Sequence, residues 1–198
     1  MRIGLIRHGK TDWNALGKIQ GQTDTSLNDE GIRQANALAV RLSQDSIKWD
    51  MVISSDLKRA YETARIIAAE LQIPLLPGEP KLRERFFGLI EGTTEEERLA
   101  RWGADWRKSD SGQESDETVR ERALSFVQAM AMQHPHLNIL MVTHGSLLAQ
   151  LLKGMCPGIE DKPIVNLSYS IMQLEADKWT PLLHNCTRHL EELQQQGY

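Results

Sequence analysis

Apolar positions recur along this chain in two patterns. Short runs of consecutive apolar residues alternate with longer stretches in which apolar side chains return every three or four positions. The runs read as buried strands and the stretches as amphipathic helices. Arg2 to Ile6 is the first run, and it stops at Arg7-His8-Gly9. Capping residues from Ser26 to Glu30 then precede a helix with Ile32, Ala35, Leu38, Ala39 and Leu42 on one face. Trp49 to Ser54 reads as a second strand centred on Met51, Val52 and Ile53. Leu57, Ala60, Ala64, Ile67, Ala68 and Leu71 keep helical spacing after it.

Pro74, Pro77, Gly78 and Pro80 break the chain. Thr93 followed by Glu96 has the spacing of a capping box and predicts a polar helix running towards Trp102 or Trp106. Ser109 to Gly112 reads as loop. Val119, Ala123, Phe126, Val127 and Met130 predict a helix over Thr118 to Met132, ended by His134-Pro135. Asn138 to Val142 is the clearest strand, and it stops at Thr143-His144-Gly145. A helix from Ser146 to Leu152 follows. Two late strands, Ser168 to Leu174 and Trp179 to Leu183, flank a turn at Ala176-Asp177, and the polar tail after Thr187 reads as a short or frayed helix. This alternation predicts a single α/β domain over residues 1–198. Its architecture is a three-layer αβα sandwich, a mostly parallel sheet with helices on both faces. Residues 80 to 117 read as a short helical cap insertion.

Composition changes this picture little. The 198 residues carry 23 basic and 27 acidic side chains, a formal charge of −4. A dedicated nucleic-acid or anionic-membrane binder would carry a clustered positive excess, so neither partner is expected. No run approaches the roughly 18 apolar residues of a membrane span. Arg2, Arg7 and Lys10 interrupt the start, unlike a secretory leader. Cys156 and Cys186 form neither a disulfide framework nor a zinc pattern. Together these features predict a cytoplasmic protein.

Candidate chemistry collects where predicted strands end, the place where open α/β sheets bind ligands. The first strand ends at Arg7-His8-Gly9, the second runs into Ser54-Ser55-Asp56 with Arg59 one turn later, and the third ends at Thr143-His144-Gly145. Arginine would repel a metal cation but forms bidentate pairs with phosphate or carboxylate oxygens. Two arginines beside two histidines therefore point to an anion, most naturally phosphate. A neutral imidazole can attack phosphorus as a nucleophile. The plainer alternative, two core histidines satisfied by backbone bonds, does not account for their matched placement after two strands. Gly4 to Thr11 also satisfies the G-x-x-x-x-G-K-T pattern of nucleotide hydrolases. Its context disagrees: only three residues precede Gly4, and Leu5 and Ile6 read as strand, not loop.

These residues resemble a known family. Leu5-Ile6-Arg7-His8-Gly9-x-Thr11-x-Trp13-Asn14 resembles the Arg-His-Gly signature of the histidine phosphatase superfamily, the phosphoglycerate mutase-like branch. The likeness continues in family order through Gly21-Gln22-x-Asp24-x-x-Leu27, Gly31, Ser54-Ser55-Asp56-Leu57-x-Arg59-Ala60 and Thr63-Ala64. Leu82-x-Glu84, Gly88, Glu91-Gly92, Glu114-Ser115, Arg122-Ala123 and Thr143-His144-Gly145 complete it. The resemblance implies that His8 is a nucleophile forming a phosphohistidine. Arg7, Arg59 and His144 would bind the phosphoryl oxygens, with Asn14 and Gln22 lining the same pocket. Glu84 would be the general acid that protonates the leaving oxygen and later assists water. Backbone N–H groups of Ser146 and Leu147 would add donors for the anion. No metal and no organic cofactor is implied. Lys10 departs from the glutamate common at its position; it either makes the pocket mouth more positive or is simply solvated.

The same resemblance implies a phosphoric monoester hydrolase close to the family's small broad-specificity phosphatases, acting on a small phosphorylated metabolite as a monomer or homodimer. A cofactor-dependent mutase and a non-catalytic phospho-ligand module are the alternatives. Mutases carry a longer insert after the acid, whereas Glu84 and Glu114 are only 30 residues apart here, and Phe86-Phe87 stands where His-Tyr is expected. Trp106-Arg107-Lys108-Ser109 keeps a trace of the mutases' basic stretch. Phe86, Phe87, Trp102 and Trp106 would either form an apolar lid or pack the cap. His134, His136, His184 and His189 carry no motif.

Overall fold

A computed structural model describes residues 1–108 and 111–195, so Ser109 and Asp110 of the expected loop lie outside the described residues. Five strands, β1 (Arg2–Arg7), β2 (Met51–Ser54), β3 (Asn138–Thr143), β4 (Tyr169–Glu175) and β5 (Lys178–Cys186), form one sheet in the order β2-β3-β1-β4-β5. β1 and β2 both pair with β3 in parallel; β4 runs antiparallel to its neighbours β1 and β5. Four strands thus point one way and β4 reverses, because the Ala176-Asp177 turn makes β4 and β5 a hairpin.

The central strands are buried on both faces, and their period of two sorts the core. Ile3 and Leu5 of β1 and Ile139 and Met141 of β3 pack against α5 (Asp116–Gln133) and α6 (Gly145–Met155). Ile6, Leu140 and Val142 face the other way, onto α2 (Asp29–Gln44) and α3 (Lys58–Leu71). The α/β sandwich with helices on both faces follows from these two faces. α1 (Asp12–Ala15) is a single turn capped by Thr11, α4 (Glu95–Trp102) lies in the segment after Glu84, and α7 (Arg188–Gln195) ends the described chain.

Two local expectations shift. In α2 the residue facing the sheet at the first turn is Gly31, while Ile32 is 39% exposed. A Cβ on Gly31 would lie 2.1 Å from the Lys10 carbonyl, so the loop after β1 approaches the helix where only glycine fits. The capping box of α4 is Thr94 with Glu97, not Thr93 with Glu96. Three successive glutamates leave the register open in sequence. Burial decides it: the Thr93 hydroxyl points inward and donates to the Ile90 carbonyl at 2.6 Å.

Candidate active site

β1 and β3 lie side by side with Arg7 opposite Thr143, so the two His-Gly corners leave the sheet together. The His8 N–H donates to the Thr143 carbonyl at 2.9 Å, and the two imidazole centroids are 5.1 Å apart. Arg59, in the first turn of α3, acts electrostatically on both histidines, but neither Arg59 nor His144 is among the residues lining the adjoining cavity. Arg59 and His144 are fully buried and His8 nearly so.

Burial and the two guanidinium charges act together on the histidines. Desolvation, then Arg59 and Arg7, hold His8 well below the ordinary imidazole range. Desolvation, then Arg59, does the same for His144. Both are therefore neutral at pH 7. In neutral imidazole one nitrogen carries the proton. The His8 Nδ1 lies 2.7 Å from the Gly9 carbonyl, which assigns the proton to Nδ1 and leaves the Nε2 lone pair free. The Nε atoms of Arg7 and Arg59 and both ring nitrogens of His144 are buried without a partner in the protein.

The arginines are held by backbone oxygens instead of carboxylates. Arg59 donates to the carbonyls of Thr23 and Gly21 at 2.8 and 2.7 Å, and Arg7 to that of Ile164 at 2.7 Å. Burial lowers the Arg59 pKa to about 10, which still leaves it charged at neutral pH. The loop that clamps Arg59 is itself fixed by Glu91, whose carboxylate accepts the N–H groups of Gln22, Thr23 and Phe87.

Glu84 sits in a segment braced from three sides. The Thr143 hydroxyl donates to the Leu82 carbonyl at 2.6 Å, Arg83 pairs with Asp56 through two bonds, and Arg122 donates to the Lys81 and Arg83 carbonyls while pairing with Glu114 at 2.9 Å. Glu114 also accepts the Phe86 N–H at 2.8 Å. The Glu84 carboxylate lies across the N-terminus of α6. Its Oε2 accepts from Ser146 N–H at 3.1 Å, and its Oε1 from Leu147 and Arg85 N–H at 3.0 and 2.9 Å.

That corrects one expectation. The N–H groups of Ser146 and Leu147 serve Glu84, not an incoming anion, because the free donors of a helix N-terminus take the nearest negative side chain. Gln22 is also placed differently: it donates to the Glu84 carbonyl at 3.1 Å and stays off the cavity wall, so it supports the acid. Asn14 does line the cavity, its side chain tied into the Thr11 capping box.

The cavity measures about 520 Å³, with Arg7, His8, Asn14 and Glu84 among its polar lining and Ile19, Phe87 and Ile164 among its apolar lining. Lys18 lines it too, its ammonium 5.8 Å from the Trp13 ring centre and free of any ion pair among the described residues. Lys10 does not; it pairs with Glu30 at 2.8 Å. Gly4 to Arg7 lie inside β1, which rules out a phosphate-cradling loop there. Of the aromatics Phe86, Phe87, Trp102 and Trp106 only Phe87 lines the cavity, whereas Trp106 is buried between Arg98 and Arg107. The segment Asp161 to Ile164 also lines the site, and no sequence motif marked it. Among the described residues no His, Cys, Asp and Glu group is arranged to hold a metal ion, and no helix is long and apolar enough to cross a membrane.

Comparison with known proteins agrees with this geometry. The sequence model of the histidine phosphatase superfamily (branch 1) matches residues 3–187. Phosphoglycerate mutase-like protein 4 of Arabidopsis thaliana is 36% identical over 96% of this chain and 87% of its own length. A metal-independent phosphoserine phosphatase of the same plant is 33% identical over 89% and 78%. The solved structure of YhfR from Bacillus stearothermophilus superposes with a TM-score of 0.84 at 27% identity, covering 96% of this chain and 98% of that one. Ordered motifs, paired strand-end histidines and matching fold thus converge, and the chain belongs to the histidine phosphatase superfamily, branch 1.

Proposed function

We propose that this protein is a metal-independent phosphatase of the cytoplasm that hydrolyses small phosphomonoesters through a phosphohistidine on His8. The observation that carries the reading is the His8 ring: buried, neutral and bonded through Nδ1 to Gly9, it offers Nε2 as a nucleophile inside the cavity. Nε2 attacks phosphorus, the bond to the leaving oxygen breaks, and Glu84 gives that oxygen a proton. Water then attacks the phosphohistidine, the P–N bond breaks, Glu84 takes the water's proton, and inorganic phosphate leaves. The Nε–H groups of Arg7 and Arg59 and the ring N–H of His144 are buried donors without protein partners, suited to phosphoryl oxygens whose charge grows in the transition state. A cavity of about 520 Å³ suits a small-molecule ester.

One relative is named a phosphoglycerate mutase-like protein and another a metal-independent phosphoserine phosphatase. Hydrolysis is favoured here by the short path from Glu84 to Glu114, which carries α4 as its one α-helix among the described residues. The test is hydrolysis of p-nitrophenyl phosphate in EDTA, by the native chain and by His8→Ala. Activity that survives chelation and vanishes in His8→Ala supports the reading; loss with EDTA, or an active His8→Ala, overturns it. Incubation with 3-phosphoglycerate and 2,3-bisphosphoglycerate should release inorganic phosphate; accumulation of 2-phosphoglycerate instead would make it a mutase.

A further inference from the structure

Residues Pro163 to Leu167 run beside the nucleophile without any motif to announce them. Two features tie this strap to the site. Its Ile164 carbonyl holds Arg7, and the Leu167 N–H donates to the Arg7 carbonyl at 3.1 Å. The strap is in turn pinned by Asn185 of β5, which accepts the Val165 N–H at 3.2 Å and donates to the Pro163 carbonyl at 2.9 Å. Leu167 is fully buried at φ 54°, a left-handed conformation that a leucine keeps only when its surroundings impose it.

Between these anchors sits Asn166. Its Nδ2 lies 3.0 Å from the His8 carbonyl, 3.4 Å from the Gly9 carbonyl and 3.3 Å from Asn14 Oδ1. Three acceptor oxygens converge on one amide group that has two protons to give. The Gly9 carbonyl is also the acceptor for His8 Nδ1. The peptide that fixes the imidazole tautomer is therefore itself held by Asn166.

We infer that Asn166 is a positioning residue for the nucleophile: its amide holds the His8 and Gly9 carbonyls so that the His8 ring keeps its proton on Nδ1 and presents Nε2 to phosphorus. This rests on the phosphohistidine reading above. Packing is not the point, because Asn166 is only half-buried; the donor protons are.

Asn166→Asp keeps the shape and puts an acceptor among three oxygens, while Asn166→Ala removes the group. Both should lower kcat by about 10²-fold with KM changed less than about threefold, since a small displacement of a reacting group costs that much. The single-turnover rate of phosphohistidine formation should fall by the same factor. Nitrogen-15 spectra of the imidazoles should show the His8 proton moving from Nδ1 towards Nε2. If Asn166→Asp does not fold, Asn166→Ala carries the test. Variants that melt earlier yet keep kcat per folded molecule and the native tautomer would overturn the inference. His8→Ala separates the two failures. Its full activity would sink the phosphohistidine reading and this one with it. An inactive His8→Ala beside a fully active Asn166→Ala would overturn this inference alone.

Discussion

Glu84→Gln separates the proton from the carboxylate's shape. The amide can keep its oxygen where Oε1 accepts the Leu147 and Arg85 N–H groups, but its NH₂ then faces the Ser146 N–H across 3.1 Å, donor against donor. One helix N-terminal donor is left unpaired, a cost of about 1–3 kcal/mol. For a chain of this size that lowers Tm by about 2–4 °C per kcal/mol, so the variant folds and can be assayed. Chemistry should suffer far more, and unevenly. With an alkyl phosphate the leaving oxygen needs a proton, and losing the acid costs about 10²–10⁴ in rate. With p-nitrophenyl phosphate the leaving group departs as a stable anion, so phosphorylation of His8 continues. Removal of the phosphoryl group then stalls, because water has lost its base. Rapid-mixing measurements should show a burst of p-nitrophenol equal to the enzyme present, followed by a slow steady state. No burst, with equal losses on alkyl and aryl esters, would refute the assignment of both proton transfers to Glu84.

The pH dependence has a definite sign. His8 and His144 have folded-state values well below 6.5 and His189, buried beside Arg41, is lowered to about 4, so the unfolded chain binds more protons below pH 6.5 and stability falls as pH drops through that window. His189 alone accounts for about 3 kcal/mol at full effect; thermal melts should show Tm falling from pH 7 to pH 4.5, and a smaller fall in His189→Leu. Activity on p-nitrophenyl phosphate, whose own second ionisation lies lower than that of alkyl phosphates, should persist at pH 5.5 in short assays because His8 stays neutral; an acid limb near 6.5 in kcat/KM for this substrate would contradict the burial argument. Gly21→Ala places a Cβ 2.0 Å from Glu91 Oε1 at φ 53°, so it should cost about 1–3 kcal/mol in denaturant unfolding and loosen the carbonyl that holds Arg59. Lys18→Ala should lower kcat/KM for phosphomonoesters carrying a second anionic group while leaving p-nitrophenyl phosphate within about threefold, since removing a rim charge acts on the charged ligand; equal effects on both would show that Lys18 does not face the leaving group.

What was legible in the sequence was whatever depends on local pattern. Strand runs ending at Arg7-His8-Gly9 and Thr143-His144-Gly145 announced both the sheet and the histidine pair, because a parallel β1–β3 pairing delivers equivalent corners to one place. Where the pattern was locally degenerate, burial chose. Thr93 and Thr94 precede three glutamates, and only the inward turn of Thr93 sets the box one residue later. Ile32 carries the more apolar side chain, yet the close approach of the Lys10 carbonyl puts Gly31 on the buried face. What was not legible was support by backbone oxygen. The carbonyls of Gly21, Thr23 and Ile164 hold the two arginines, and a carbonyl has no signature in sequence. For the same reason the strap bearing Asn166 has no signature in sequence, and the N–H groups of Ser146 and Leu147, expected to face an anion, meet Glu84.

Backbone support also explains how a chain of net charge −4 can present so positive a site. Arginines bound to carboxylates would have to surrender those partners to a phosphoryl group, losing on one side much of what they gain on the other. Arg7 and Arg59 have carbonyl partners on their terminal nitrogens and keep Nε unpaired. Under the proposed phosphatase reading, those unpaired Nε–H groups would serve phosphoryl oxygens. Donors fixed before the reaction need no reorganisation during it, which is where electrostatic catalysis gains most. Burying the two guanidinium groups costs the fold, and the charges of Glu84 on both and of Asp24 and Glu91 on Arg59 offset that cost in part. The arrangement also does the second thing the chemistry needs. Burial first, and then the same two cations, hold His8 neutral, and a protonated His8 would have no lone pair to offer. On the proposed reading, cations held by carbonyls would prepare the anion site and add to the burial that keeps the nucleophile neutral.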